Sequence, residues 1–331
     1  MKNNSKKLSI LVTGGAGFIG SHLCQKLFKM PNVGRVICVD NLDPVYPVVF
    51  KKENLALLAS NSKFYFYKTD ICNKSDLKNI FKKETPDYVI NLAAKTDTRL
   101  SVIKPEEFIE VNIKGVLNIL ELSKDFKIKG VSLFSSSSVY GNIKSKSRFK
   151  ETEITDFPLS PYGATKKAGE VLSYTYFFNY ELPVTCFRLF NVYGERMRQG
   201  LVLSKWVENI FNNKPIEFSS TKMIRRDFTY VGDVVSAIAK SLKTNKGFNI
   251  INIASSNPAS LAELLRIVEK VTKKKATVIK RESNKASIEV SYADIGKAQK
   301  LLGWKPKIGL EKGISNYVSW FIENRLKNKK S

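Results

Sequence analysis

Ile10-Leu11-Val12-Thr13-Gly14-Gly15-Ala16-Gly17-Phe18-Ile19-Gly20 is the stretch that decides the fold. Its first three residues read as a short buried strand. Gly14, Gly17 and Gly20 recur every third position, and apolar residues at Phe18, Ile19, Leu23 and Leu27 continue with helical spacing. A strand, a glycine turn and a helix in succession let backbone amides approach a pyrophosphate at the helix N-terminus, where the partial positive charge lies. A second strand, Arg35 to Val39, ends at Asp40. That is the distance, about 20 residues, at which a carboxylate binds the ribose hydroxyls of NAD. The same charge repels the 2′-phosphate of NADP.

Working outward, Phe64 to Tyr67 reads as a strand leading to Asp70 and Ile71, which border the adenine in this reading. Asp87 to Lys95 reads as another, whose alanines Ala93 and Ala94 permit close approach of a cofactor. Strands alternating with amphipathic helices predict an α/β fold, a Rossmann-type doubly wound parallel sheet with right-handed crossovers. The expected cofactor residues are Gly14, Gly17, Phe18, Ile19, Gly20, Asp40, Asn41, Asp70, Ile71, Leu92, Ala93, Ala94 and Lys95.

Chemistry is signalled further along. Ser136 lies in the run Phe134-Ser135-Ser136-Ser137-Ser138-Val139-Tyr140-Gly141, and Tyr162 and Lys166 follow in Ser160-Pro161-Tyr162-Gly163-Ala164-Thr165-Lys166. Residues four apart lie one turn from each other on a helix, so the phenol and the ammonium share a site. A neighbouring positive charge favours the phenolate. Bringing a tyrosine from a pKa near ~10 to about 7 corresponds to roughly 4 kcal/mol. Such a group suits removal of a hydroxyl proton while a hydride leaves the same carbon.

Composition narrows the options. The chain has 331 residues, enough for a large core in one two-lobed unit or two domains. His22 is its single histidine, which removes a histidine triad or histidine zinc cluster and leaves His22 a structural part; no metal is expected. Cys24, Cys38, Cys72 and Cys186 are scattered without metal-ligand spacing, as in a reducing cytoplasm. No apolar run is long enough to span a membrane. Met1 to Lys7 lacks a signal-peptide core and reads as a solvated arm. The formal charge of +25 invites a nucleic-acid reading. The lysines are nevertheless dispersed, and Lys273-Lys274-Lys275 and Lys329-Lys330 are short clusters, as on a solvated surface. Part of the excess would attract an anionic substrate.

The glycine turn, Asp40, Leu92-Ala93-Ala94, the serine run and Tyr162/Lys166, in this order, resemble the extended short-chain dehydrogenase/reductase family, nearest its nucleotide-sugar epimerases and dehydratases. The resemblance continues through Arg188 to Gly194, Arg225 to Asp233, Tyr292 to Ala298 and Leu302 to Pro306, nearly the whole chain. It implies an NAD-binding domain over residues 1–187 and a smaller C-terminal substrate lobe, mainly 188–331. The two interleave, with a return to the sheet near 225–255. It also implies a homodimer built on helices Glu106–Phe126 and Tyr162–Tyr180, whose bland alternative is burial within the monomer.

Family members that eliminate water carry Thr-Asp-Glu where this chain has Ser136-Ser137-Ser138, and decarboxylases place an acid in the same run. The resemblance therefore implies oxidation and re-reduction, an epimerisation at C4 of a nucleotide sugar. Tyr162 is the base, Ser136 the partner of the 4-hydroxyl, and Lys166 the ligand of the nicotinamide ribose. Ser137 and Asn191 face the substrate, Asn191 and Arg226 at its diphosphate. Arg198 matches the arginine that holds the carboxylate in UDP-glucuronate 4-epimerases, and Thr98-Arg99-Leu100-Ser101 resembles their loop. Two departures stand against that subgroup, Gln199-Gly200 for Pro-Asp and Asn191 for threonine. A third concerns the nucleotide carrier: Lys285-Ala286-Ser287 stands where relatives show Pro-Gly-Asp, without their aspartate at the uridine ribose. UDP-glucose and UDP-N-acetylglucosamine remain alternative substrates. A dehydratase or decarboxylase, and a catalytically silent RNA-binding relative, remain alternative functions.

Overall fold

Strand β1 (Leu8–Thr13) is buried along most of its length because it sits inside a sheet covered on both faces. The glycine turn carries it into α1 (Phe18–Phe28). Gly14 adopts φ +66°, and a Cβ there would lie 2.8 Å from the Ala93 amide nitrogen; a Cβ on Gly20 would lie 2.2 Å from the Gly14 carbonyl. Side chains at either position would part the helix from the strand.

The chain then alternates as expected: β2 (Val33–Asp40), α2 (Val48–Ala59), β3 (Phe64–Lys68), α3 (Lys74–Glu84) and β4 (Tyr88–Asn91). β4 is shorter than the sequence suggests, since Leu92 to Asp97 leave the sheet. Helices α4 (Thr98–Ile103), α5 (Pro105–Ile109) and α6 (Gly115–Asp125) precede β5 (Gly130–Ser136). The helix expected over Glu106–Phe126 is interrupted by a π-helical turn at Glu110–Lys114. Next come α7 (Pro161–Tyr180), β6 (Val184–Leu189), β7 (Val192–Tyr193), α8 (Val202–Phe211), β8 (Ile216–Phe218), β9 (Arg225–Asp227), β10 (Thr229–Tyr230) and α9 (Val231–Ser241). The chain ends in β11 (Phe248–Ile253), β12 (Pro258–Ser260), α10 (Leu261–Thr272), β13 (Val278–Lys280), β14 (Val290–Ser291), α11 (Gly296–Leu302) and α12 (Leu310–Phe321). Ser260 and Glu263 form a capping box on α10.

This computed structural model describes residues 7–142, 148–218, 224–244, 246–280 and 290–326. Most of the N-terminal arm, Lys285-Ala286-Ser287 and Lys329-Lys330 lie outside them.

The central sheet is parallel, with order β11-β6-β5-β4-β1-β2-β3. Its order reverses at β1, flanked by β2 and β4, and the crevice beyond the carboxyl ends of those strands is where such sheets bind ligands. One apolar layer packs α1 and α9 on the sheet through Leu23, Leu27, Val234 and Ile238. The other packs α3, α6 and α7 through Leu77, Ile119 and Tyr176. A third cluster, with Trp206, Leu264, Ile314 and Tyr317, joins α8, α10 and α12 beyond the sheet. β11 lies beside β6, so late sequence re-enters the central sheet, whereas β9 pairs with β12 and β14 outside it.

Candidate active site

A cleft of about 830 Å³ runs over the carboxyl ends of β1, β2, β4 and β5 to α8. Every candidate residue named from the sequence lines it except Arg226. Among the described residues no three His, Cys, Asp or Glu side chains gather as a metal site, and no helix is long and apolar enough to cross a membrane. The four cysteines are free.

At one end, Gly17 and the first residues of α1 border the cleft, and no side chain caps the helix. Its leading amides are therefore available to phosphate oxygens. Asp40 sits at the end of β2, where Oδ2 accepts from the Ala16 amide (3.2 Å) and Oδ1 from the Leu42 amide (2.8 Å). Lys51, on α2, forms a buried ion pair with Asp40 at 2.8 Å. Asn41 donates to Asp70 (2.7 Å), which also accepts from the Cys72 amide (2.8 Å). Burial works against the Asp70 carboxylate, but these two bonds hold its pKa below the ordinary value. Lys95 crosses the middle of the cleft, paired with Asp43 at 2.8 Å and Glu107 at 3.0 Å. Its backbone is fixed by Asn112 on the π-helical turn, which accepts from the Lys95 amide and donates to the Lys95 carbonyl and Thr165. A dinucleotide fits this end: uncapped helix, a carboxylate at the end of β2, close-packed Gly14 and Ala93.

α7 starts at the Ser160 cap, whose Oγ accepts from the Gly163 amide at 3.1 Å, with Pro161 at the first helical position. This puts Tyr162 at the mouth of the helix and Lys166 one turn inward. Ser136, at the end of β5, accepts from the Ser138 amide (3.1 Å) and is hydrogen-bonded to Tyr162. The predicted ammonium–phenol coupling is weaker than the spacing suggests. Lys166 Nζ donates to the Phe134 carbonyl (2.8 Å) and lies 6.0 Å from the centre of the tyrosine ring. Burial pushes the Tyr162 phenol up, against the Ser136 hydrogen bond and the nearby charge of Arg198, which lower it. Burial also pushes Lys166 down to about 8. Arg198 is thus the cation whose charge reaches the phenol.

Arg198 follows Gly194 in the loop between β7 and α8, and its Nη2 pairs with Asp97 at 3.1 Å. Arg99 and Asn191 are exposed at the cleft. Asn191 has φ 20° and donates to the Asp227 carbonyl (3.3 Å). Arg226 differs from expectation. It lies on β9, held between β12 and β14, and Nη1 donates to the Arg225 carbonyl (3.0 Å) rather than bordering the cleft.

His22 is outside the cleft. Its Nε2 is 2.9 Å from the Glu195 carbonyl and 3.3 Å from Arg196 Nε, tying α1 to the segment that carries Arg198. The sequence reading missed Lys51, Asp43, Asp97 and Asn112. Only Asp97 carried a local signal, an acid one residue ahead of a short helix that it caps through the Arg99 and Leu100 amides.

Residues 11–317 match the family model described as GDP-mannose 4,6 dehydratase. The chain is 40% identical over 315 residues to a UDP-glucuronate 4-epimerase of Thermodesulfobacterium geofontis, covering 95% of this chain and 96% of that one. Among solved structures, UDP-glucuronic acid 4-epimerase from Bacillus cereus in complex with UDP-glucuronic acid and NAD superposes with a TM-score of 0.89 at 33% identity. The match covers 96% of this chain and 99% of that one. UDP-glucose 4-epimerase from Thermotoga maritima, solved with UDP-glucose, gives a TM-score of 0.87 at 32% identity, with the same coverage.

Proposed function

The chain belongs to the extended short-chain dehydrogenase/reductase family, in its nucleotide-sugar epimerase branch, and from that premise we propose that it is an NAD-dependent UDP-sugar 4-epimerase acting on UDP-glucuronate. The observation that carries the reading is the meeting of Tyr162, Ser136 and Arg198 in one cleft with an uncapped helix N-terminus. NAD would be held by the α1 amides, Asp40, the Leu92-Ala93-Ala94 segment and Lys166. When bound, it takes up a hydride from the sugar and returns it.

Tyr162 removes the proton of the 4-hydroxyl as C4 becomes a ketone, and gives it back on re-reduction. Ser136 holds the 4-oxygen through both steps. The sugar turns over between them, so that its other face receives the hydride and the configuration at C4 inverts. The guanidinium of Arg198 meets the C6 carboxylate, a charge-assisted contact. Ser136-Ser137-Ser138 offer hydroxyls and no carboxylate, so the proton transfers of a dehydration lack an acid.

On this reading residues 1–187 form the cofactor domain, and α8, α10 and α12 build the substrate lobe around Trp206. A second copy of the chain pairs along α7. Val171, Tyr174 and Phe178 follow one another at helical spacing on one face, and Phe178 is 70% exposed.

The test is proton NMR of the anomeric signals after incubation with UDP-glucuronate, UDP-glucose and UDP-N-acetylglucosamine. The C4 epimer is expected with the native chain. With Tyr162→Phe it should be absent although NAD stays bound. A dehydrated, decarboxylated or net-reduced product would overturn the assignment.

A further inference from the structure

Asp97 occupies a backbone conformation that a residue with a Cβ rarely adopts, φ 123° and ψ 106°. Its Oδ1 accepts from the Arg99 and Leu100 amides at 3.0 and 3.1 Å, and its Oδ2 accepts from Arg198 Nη2 at 3.1 Å. Capping alone does not account for an acid here, because asparagine or serine caps a helix as well. Glycine would relieve the backbone. What aspartate alone supplies is a negative charge beside Arg198, inside the cleft. Although burial opposes it, the Leu100 amide and Arg198 keep the Asp97 carboxyl below its ordinary pKa, so the charge is present at neutral pH.

We propose that Asp97 determines substrate specificity: its resident ion pair with Arg198 brings the charge around the sugar's C6 group close to zero, so that the chain epimerises neutral UDP-hexoses alongside the uronate. The inference rests on the UDP-sugar 4-epimerase reading and refines its substrate class. A uronate brings a second carboxylate to one guanidinium. Asp97, Arg198 and the substrate then sum to one negative charge beside a phenol that must ionise, whereas a neutral hexose leaves the sum at zero. Asp97 therefore disfavours the uronate in binding, by repelling its carboxylate and by holding the guanidinium that would meet it, and its effect falls chiefly on KM.

The experiment measures kcat and KM of the native chain, Asp97→Asn, Asp97→Gly, Arg198→Ala and the Asp97→Asn/Arg198→Ala double variant on UDP-glucuronate and UDP-glucose. Removing one unit charge at a partly exposed site should raise the uronate-to-hexose ratio of kcat/KM by about ten- to a hundredfold. Made in the Arg198→Ala background, the same substitution should change the ratio less, because the competition for the guanidinium is gone. The ratio is taken on the same folded molecules, and Asp97→Asn retains the cap should the glycine variant fold poorly. A native chain with no measurable UDP-glucose turnover, or an unchanged or lowered ratio in Asp97→Asn, overturns the inference while leaving the epimerase reading intact. A native chain that epimerises neither sugar sinks the reading itself.

Discussion

Replacing His22 by glutamine should abolish about 2 kcal/mol of acid destabilisation between pH 7 and pH 5. Burial, followed by the adjacent Arg196 guanidinium, pushes the imidazole from 6.5 down to about 3, and the hydrogen bond to the Glu195 carbonyl only partly opposes them. The folded chain therefore takes up this proton near pH 3, and the unfolded chain near 6.5. Between those values the unfolded state binds more protons, so stability is present above 6.5 and falls with pH by up to about 1.4 kcal/mol per unit. From pH 7 to pH 5 the loss sums to ~2 kcal/mol for one histidine, and the chain has only one. Glutamine keeps an amide for the Glu195 carbonyl without the titration. Urea midpoints of the full chain and the variant at both pH values measure the difference. The Asp227 carboxyl, which burial pushes up, titrates in the opposite sense and cancels in that comparison. An equal loss in both proteins would refute the argument. The consequence reaches function, because this contact joins the cofactor helix to the segment bearing Arg198.

Three further outcomes follow from packing. Gly20→Ala places a Cβ 2.2 Å from the Gly14 carbonyl and 2.7 Å from Gly15 Cα, which displaces the turn; bound NAD in the purified variant should fall severalfold, as absorbance of the released cofactor will report. Glu170→Ala leaves the Arg188 guanidinium, now held by two 2.8 Å bonds in the interior, without its carboxylate; the unfolding free energy should drop by about 3–5 kcal/mol, read from urea midpoints at constant slope. Phe178→Glu should convert a dimer into a monomer in sedimentation velocity, and an unchanged sedimentation coefficient would remove α7 from the interface.

The sheet was legible because its signals are local. Ile10 to Val12, the three glycines and Asp40 lie within one strand–helix–strand unit, and each is dictated by near neighbours in sequence. The π-helical turn at Glu110–Lys114 was not legible, since the same apolar periodicity serves a continuous α-helix; Asn112 becomes informative only when it reaches Lys95 and Thr165. Tyr162 and Lys166 illustrate a different limit. Four-residue spacing brings two side chains to one site but leaves the direction of the ammonium open, and here the Phe134 carbonyl on β5 claims it. Asp97 and Arg198 are 101 residues apart, and their pairing follows from how two loops meet over the sheet.

The charge of the cleft bears on how an anionic nucleotide enters it. Among the described residues lining it, Lys51, Lys95, Arg99, Lys166, Arg198 and Lys205 are cationic and Asp40, Asp43, Asp70, Asp97 and Glu217 are anionic. The six and five formal charges leave +1 there, against +25 for the whole chain. Four of the cations have resident acids: Lys51 has Asp40, Lys95 has Asp43 and Glu107, Arg198 has Asp97, and Lys205 has Glu217. The chain's positive excess is thus not concentrated at the site, and at a Debye length of about 8 Å in physiological salt its more distant part is screened. Inside the cleft a diphosphate meets helix amides and already paired cations. Recognition there is an exchange of partners: an incoming anion must compete with an acid already in place, and the energetic difference between those two pairings, more than total charge, selects the ligand. Of these pairs, Asp97–Arg198 holds the cation whose charge reaches the Tyr162 phenol, which is why the proposed choice of sugar turns on a single carboxylate in a strained backbone position.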